Sequence, residues 1–406
     1  MTWIRDINCA HHQQDTNYYC GAATAQMILN SIGGGLLDQD VLYNDNHSHN
    51  TRPNWYTDPD GLTWTLNHYG NPLPPPPGHS PYYFVPYRKD TEPLGSEKIV
   101  YTLWKYEVPT GTLVYHCGHW IVVRGVSTDV EPAPGATYSI NGFWINNPWP
   151  YCPSFDDPTL APPPLHSNAD GCGSGGNRGI ADEYVDYATT WKDTYFTGCD
   201  VWGVGYPQFV SVCDPEVPKL GKLSMKREPF WAKGEKLIKA QDALKFAQRG
   251  VEVNNLLKNE LFAKALKGAN PETPILVQRL DLSDSFYYIT PMKSREGVTA
   301  FLSVDGILGN FRGGQVLAKP VESPFISRED VRKKVLKHPV QFGEKLGRIR
   351  IREGAFCHYP IMVWKPCKES RSPYYPFQMI TVGSTNIYIG YDGAIYPELH
   401  DLSQGG

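Results

Sequence analysis

The chain has 406 residues, 41% of them hydrophobic and 20% charged, with a formal net charge of −4. It is too apolar to be disordered and long enough for two or three domains, and no apolar run approaches the roughly 18 residues that a membrane-spanning helix needs. Residues 1–215 hold 9 of the 38 Lys+Arg and 22 of the 42 Asp+Glu, a net of −13 that leaves +9 to the remainder, so contact between an acidic and a basic half is expected.

Cys20 to about Ser31 predicts a helix: Ala23, Met27 and Ile28 share a face, and Gly33-Gly34-Gly35 stops it. Asp60–His68 predicts a second helix. Strands are expected at Lys98–Glu107, Leu113–Tyr115, His119–Val126, Tyr138–Asn146 and Gln208–Cys213, with Glu183–Trp191 ordered between the last two. The segments Pro74–Pro77 and Pro162–Pro164 read as extended loops. The glycine-rich Gly171–Gly176 lacks a following Gly-Lys-Ser/Thr and reads as a plain loop. Helix first and sheet afterwards is an α+β arrangement.

Pro, Lys and Gly between Pro215 and Lys226 mark a linker, which gives domains at 1–222, 223–322 and 323–406. The last two form an internal repeat. Ala240–Lys267 is a long helical pattern followed by apolar strands at Ile275, Phe286 and Val298, ending at Asp305-Gly306. Ser327–Leu336 is a second helix, followed by strands at Arg348, Ile361, Phe377 and Ile387, ending at Asp392-Gly393. Asp-Gly is a hairpin signal. The pattern resembles tandem PepSY-like or cystatin-like modules, which implies an inhibitory or chaperoning segment beside a secreted peptidase. On that reading residues 1–222 alone would be more active than the full chain.

Nine cysteines are present. Cys152, Cys172, Cys199 and Cys213 crowd one loop-rich region, which fits disulfides and an oxidising compartment. The N-terminal Met1-Thr-Trp-Ile-Arg-Asp lacks a signal-peptide pattern, so the alternatives are a cytosolic protein or a leader absent from this chain. With no CxxC, and with His11-His12 and His47-Ser48-His49 lacking an acidic or cysteine frame, no metal or other cofactor is expected. Arg348, Arg350 and Arg352 lie in no nucleic-acid motif, and no nucleic-acid partner is expected.

The chemistry concentrates in Gln14, Cys20-Gly21-Ala22-Ala23, Gly118-His119-Trp-Ile-Val-Val-Arg-Gly125 and Asn147-Pro148. A thiol nucleophile at a helix start gains from the helix N-terminus and from an adjacent imidazolium, both of which favour thiolate. Gly21 would let the backbone approach a substrate carbonyl. His119 would take the thiol proton and return it to a leaving amine. Asn147 would orient the ring, and Gln14 with the Cys20 N–H would hold the oxyanion. His116, Asn146 and Gln13 are the competing neighbours for these roles.

This order, Gln–Cys–His–Asn, resembles the papain-like superfamily over residues 8–150, with 215 as the outer limit. Within it the motifs look most like the double-glycine peptidases that process bacteriocin leaders, and their stand-alone relatives. That family has Asp where this chain has Asn147, as in papain itself. The resemblance implies a papain-like fold and a cysteine peptidase acting on a peptide or protein substrate. Export-coupled leader processing is not expected, since no transporter segment follows. Gly313-Gly314 and Gly405-Gly406 would suit self-processing, although chance is the stronger explanation. An acyltransferase on the same triad, and a binding protein with a vestigial triad, remain open alternatives.

Overall fold

A computed structural model describes residues 2–149, 179–214, 222–223, 236–341, 347–352, 359–391 and 393–402. The first half begins with β1 (Trp3–Asp6) and three helices, α1 (Cys20–Ser31), α2 (Gln39–Ser48) and α3 (Pro59–Gly70). Next come β2 (Val85–Lys89), α4 (Glu92–Tyr101), a π-helical turn (Thr102–Tyr106), β3 (Thr110–Val114), β4 (His119–Thr128), β5 (Thr137–Tyr138) and β6 (Ile140–Asn146). Then follow β7 (Ile180–Asp186), a second π-helical segment (Tyr187–Tyr195), β8 (Phe209–Cys213) and β9 (Lys222–Leu223). The second half holds α5 (Ala240–Val253), α6 (Glu260–Leu266), β10 (Asn270–Pro271), β11 (Ile275–Arg279), β12 (Phe286–Ser294), β13 (Gly297–Asp305) and β14 (Phe311–Val321). It closes with α7 (Arg328–Lys337), β15 (Val340–Gln341), β16 (Arg348–Ile349), β17 (Ile361–Trp364), β18 (Phe377–Val382), β19 (Thr385–Ile389) and β20 (Ile395–Tyr396).

The class is α+β, and one sheet dominates. Its strand order is β2-β8-β3-β4-β6-β7-β14-β13-β12-β11-β17-β18-β19-β20, with β1 on β4 and β10 on β12. Pairing is antiparallel throughout, except where β11 meets β17. Strand β4 is central and buried on both faces, as its unbroken apolar run requires. Trp120 and Val122 pack with α1 and α3, while Ile121 and Val123 join a second core on the other face. Arg124 on the same strand forms a buried ion pair with Asp182 of β7 and a partly exposed one with Asp6 of β1.

Local signals account for the helices. Asp38 and Asp58 accept from backbone N–H groups in the first turns of α2 and α3, the usual N-cap arrangement. Gly33 takes a positive φ of 95° at the end of α1, and Gly34 N–H closes the turn on Leu29 O. The expected strand at Lys98–Glu107 is instead the end of α4 and its π-helical turn. Ile99, Val100 and Leu103 are all buried, a spacing that suits one helical face. The long helical pattern at Ala240–Lys267 is broken after Val253, where Asn255 is left-handed with φ 53°.

The two halves share this sheet through β7 and β14, which pair Gly313 with Val185 and Gln315 with Glu183. The seam combines backbone hydrogen bonds and apolar packing with side-chain hydrogen bonds such as Tyr184 hydroxyl to Asn254 Oδ1 and Arg312 to Thr194 Oγ1. Phe262 and Ala247 of the second half meet Trp144 and Tyr184 of the first in a common core. Among the described residues, every ion pair joins groups of the same half. Most of the expected linker at 215–226 lies outside the described residues, as do Gly171–Gly176, Pro162–Pro164, Asp392 and Gly405-Gly406.

Gly313-Gly314 lies inside β14 at the seam and not in an exposed site for cleavage. Gly313 has φ 149°, and a Cβ there would stand 2.3 Å from the Tyr184 carbonyl oxygen. Gly313→Ala is expected to cost roughly 2–5 kcal/mol through combined backbone strain and overpacking. Urea denaturation checks this, and an unchanged midpoint would mean that the seam is not held as described.

Candidate active site

The candidate residues come from four segments. Cys20 is the first residue of α1, and the backbone N–H groups of Gly21, Cys20 itself and Trp120 favour its thiolate. Trp120 follows His119, so the start of β4 lies against the start of α1. His119 follows a tight bend in which Tyr115, His116 and Cys117 are all left-handed, with φ of 53°, 55° and 63°. A Cys117–Cys199 disulfide ties down this bend. Neither partner of that bond had been expected to pair with the other; Cys152 and Cys172 lie outside the described residues, and Cys213 is free and buried. Leu402, near the C-terminal end, packs against Gly118, where a Cβ would meet it at 2.6 Å.

Asn147 follows β6 and organises the site. Its Oδ1 accepts from Trp149 N–H at 3.0 Å and lies 2.9 Å from His119 Nε2. Its Nδ2 donates to the Arg371 carbonyl at 3.0 Å. Trp149 N–H can only donate, so Oδ1 is an acceptor and His119 must carry its proton on Nε2. That tautomer leaves the Nδ1 lone pair free to act as a base. The Asn147 backbone carbonyl accepts from His11 Nε2 at 2.6 Å.

The competing residues separate clearly. Asn146 Nδ2 donates to the Cys9 carbonyl and not to His119. His116 is on the bend, with Nδ1 3.1 Å from the Gly198 carbonyl. Gln14 is held by its N–H to the Pro148 carbonyl, and its amide donates to Thr16 O at 2.7 Å, so one of its two amide hydrogens is engaged locally. Gly21 answers a packing need, since a Cβ there would lie 2.5 Å from Thr57 side-chain atoms.

Cys20, His119, Asn147 and Gln14 are all 0% exposed. Burial raises the Cys20 thiol above its usual range, against a smaller lowering by Arg371 and the nearby N–H groups. Burial, then Arg371, hold His119 well below the usual histidine range, against a smaller upward effect of Asn147. Burial thus favours a neutral thiol at Cys20 and a neutral imidazole at His119, where the sequence suggested an imidazolium. Among the described residues no group of three or more His, Cys, Asp or Glu could hold a metal, and no helix is long and apolar enough to cross a membrane.

Two contributors had no sequence signal. His11, read only as half of a His-His pair, fixes the Asn147 backbone. Arg371, from the loop between β17 and β18, places Nη1 3.5 Å from His119 Nδ1, long for a hydrogen bond, and its guanidinium 5.8 Å from the Trp149 ring centroid.

His11 also gives a pH signature. Burial lowers its pKa to about 4, whereas the unfolded chain titrates near 6.5. Its contribution is therefore complete above about pH 6.5 and is lost as pH falls toward 4, about 3 kcal/mol in all. His119 acts in the same direction. His11→Gln, which keeps a donor for Asn147 O, should lose less stability than wild type between about pH 7 and 4 in urea titrations. Equal losses would contradict the assignment.

No family model and no curated protein matches the chain. A solved structure, the Bacillus megaterium YpeB C-terminal domain, aligns with 78% of this chain and 100% of its own length at 11% identity and a TM-score of 0.18, a likeness too slight to carry an inference about fold or function.

Proposed function

We propose that the chain is a papain-like cysteine peptidase that hydrolyses a peptide or isopeptide bond through a thioester on Cys20. The observation that carries this reading is the His119–Asn147 pair. Its hydrogen-bond pattern fixes the ring tautomer with Nδ1 as the base, on a strand whose next residue turns its N–H toward the Cys20 sulfur.

The chemistry follows from these atoms. His119 Nδ1 takes the thiol proton, the thiolate attacks the carbonyl carbon, and the C=O electron pair moves to oxygen. The Cys20 N–H and the second amide hydrogen of Gln14 are the candidate oxyanion donors. The C–N bond breaks, the amine leaves with the proton from His119, and a water deprotonated by His119 then hydrolyses the thioester. Because the thiol has no exposed surface, substrate reaches it only after local opening. The same triad serves acyl transfer if an amine replaces water.

A second reading, a binding protein with a vestigial triad, draws on the complete burial of Cys20 and its raised thiol. Intact mass after treatment with an irreversible epoxide directed at papain-like thiols separates the two. Hydrolysis predicts one adduct on the wild-type protein and none on Cys20→Ala. No adduct on a folded wild-type chain would favour the binding reading.

A further inference from the structure

We propose that Arg371, contributed by the second half of the chain, is a fixed cation of the Cys20–His119 site and offsets the charge of the Cys20 thiolate. The inference rests on Cys20 and His119 forming a thiol site, as proposed above.

The geometry supports a permanent role. Arg371 is 6% exposed. Among the described residues no carboxylate forms an ion pair with it, and its Nε has no hydrogen-bond partner. A buried guanidinium without a counter-ion is costly, unless the site itself supplies negative charge. Arg371 Nη1 stands 3.5 Å from His119 Nδ1, and its charge favours the thiolate of Cys20 and the neutral ring of His119. The other ionisable groups on the packed elements include Cys9, His11, His12 and Asp15 on the entry segment, Tyr18 and Tyr19 before α1, Arg124 on β4, Lys368 and Glu369 on the Arg371 loop, and Tyr115, whose ring stacks 6.2 Å from His119.

The loop carrying Arg371 is built into the core and is not a detachable plug. Trp364 Nε1 donates to Ser370 Oγ, and Ser370 Oγ donates to Tyr375 O. Tyr287 hydroxyl donates to Pro373 O, and Asn147 donates to the Arg371 carbonyl itself. When the S–H bond breaks, the proton passes to His119 Nδ1 and the electron pair stays on sulfur, next to the Arg371 guanidinium. Arg371 thus acts as a positioning charge for the nucleophile, and the site is complete only with both halves present.

The test is the ultraviolet absorbance of the thiolate against pH, taken as each protein minus its Cys20→Ser counterpart, which needs no access by a reagent. Arg371→Met should raise the Cys20 midpoint by about 1–3 pH units, the effect of removing a nearby opposite charge. Arg371→Lys should restore much of the difference. If Arg371→Met does not fold, Arg371→citrulline carries the test, installed by ligating a synthetic 367–406 segment at Cys367. Citrulline keeps the planar shape and removes the charge, with one amino group replaced by a carbonyl oxygen. A midpoint unchanged or lowered in the folded neutral variant overturns the inference. A raised midpoint in a protein without turnover sinks the peptidase reading alone, and turnover with an unmoved midpoint sinks this inference alone.

Discussion

The Asn147 carboxamide is the interaction on which the site depends. It receives His119 and Trp149 N–H on its oxygen and gives its N–H to the Arg371 carbonyl, while the same residue's backbone carbonyl accepts from His11. Four segments far apart in the chain therefore meet on one buried residue. A buried amide left short of partners costs about 1–3 kcal/mol for each missing bond, so satisfying it fixes the ring tautomer and the C-terminal loop together.

Charge at the site follows from burial. Desolvation favours the neutral form of both thiol and imidazole, and the fixed cation reinforces neutrality at His119 while opposing it at Cys20. Negative charge on the sulfur then has a partner waiting, whereas positive charge on the ring does not. Behind His119, Tyr115 and Tyr195 extend a buried polar region to Glu183, whose hydroxyl partner is Tyr195. Burial lifts the Glu183 carboxyl to about 8. This region also lies next to the seam, since Glu183 pairs with Gln315 across β7 and β14. Site and seam are thus neighbouring parts of one core.

Much of the first half was legible in the sequence because its signals are local. The small-residue run after Cys20, the glycine stop at Gly33 and the apolar run from His119 placed α1 and β4 nearly to the residue. The stretch Lys98–Glu107 misled because its Ile, Val, Tyr and Trp suit strands by type, while their spacing is helical. Strand β14 was missed because Gly313-Gly314 reads as a break, and only the close approach of Tyr184 explains glycine there. Arg371 could not be read at all. It sits 252 positions from His119, in a Ser-Arg-Ser context with no pattern, and its role comes from strand order alone.

The most direct test of this account is the protonation state of His119, read by nitrogen NMR on histidine-labelled protein and assigned with a His119 variant. A site with a fixed cation and a buried ring predicts a neutral Nε2–H tautomer at neutral pH. An imidazolium at neutral pH would contradict it.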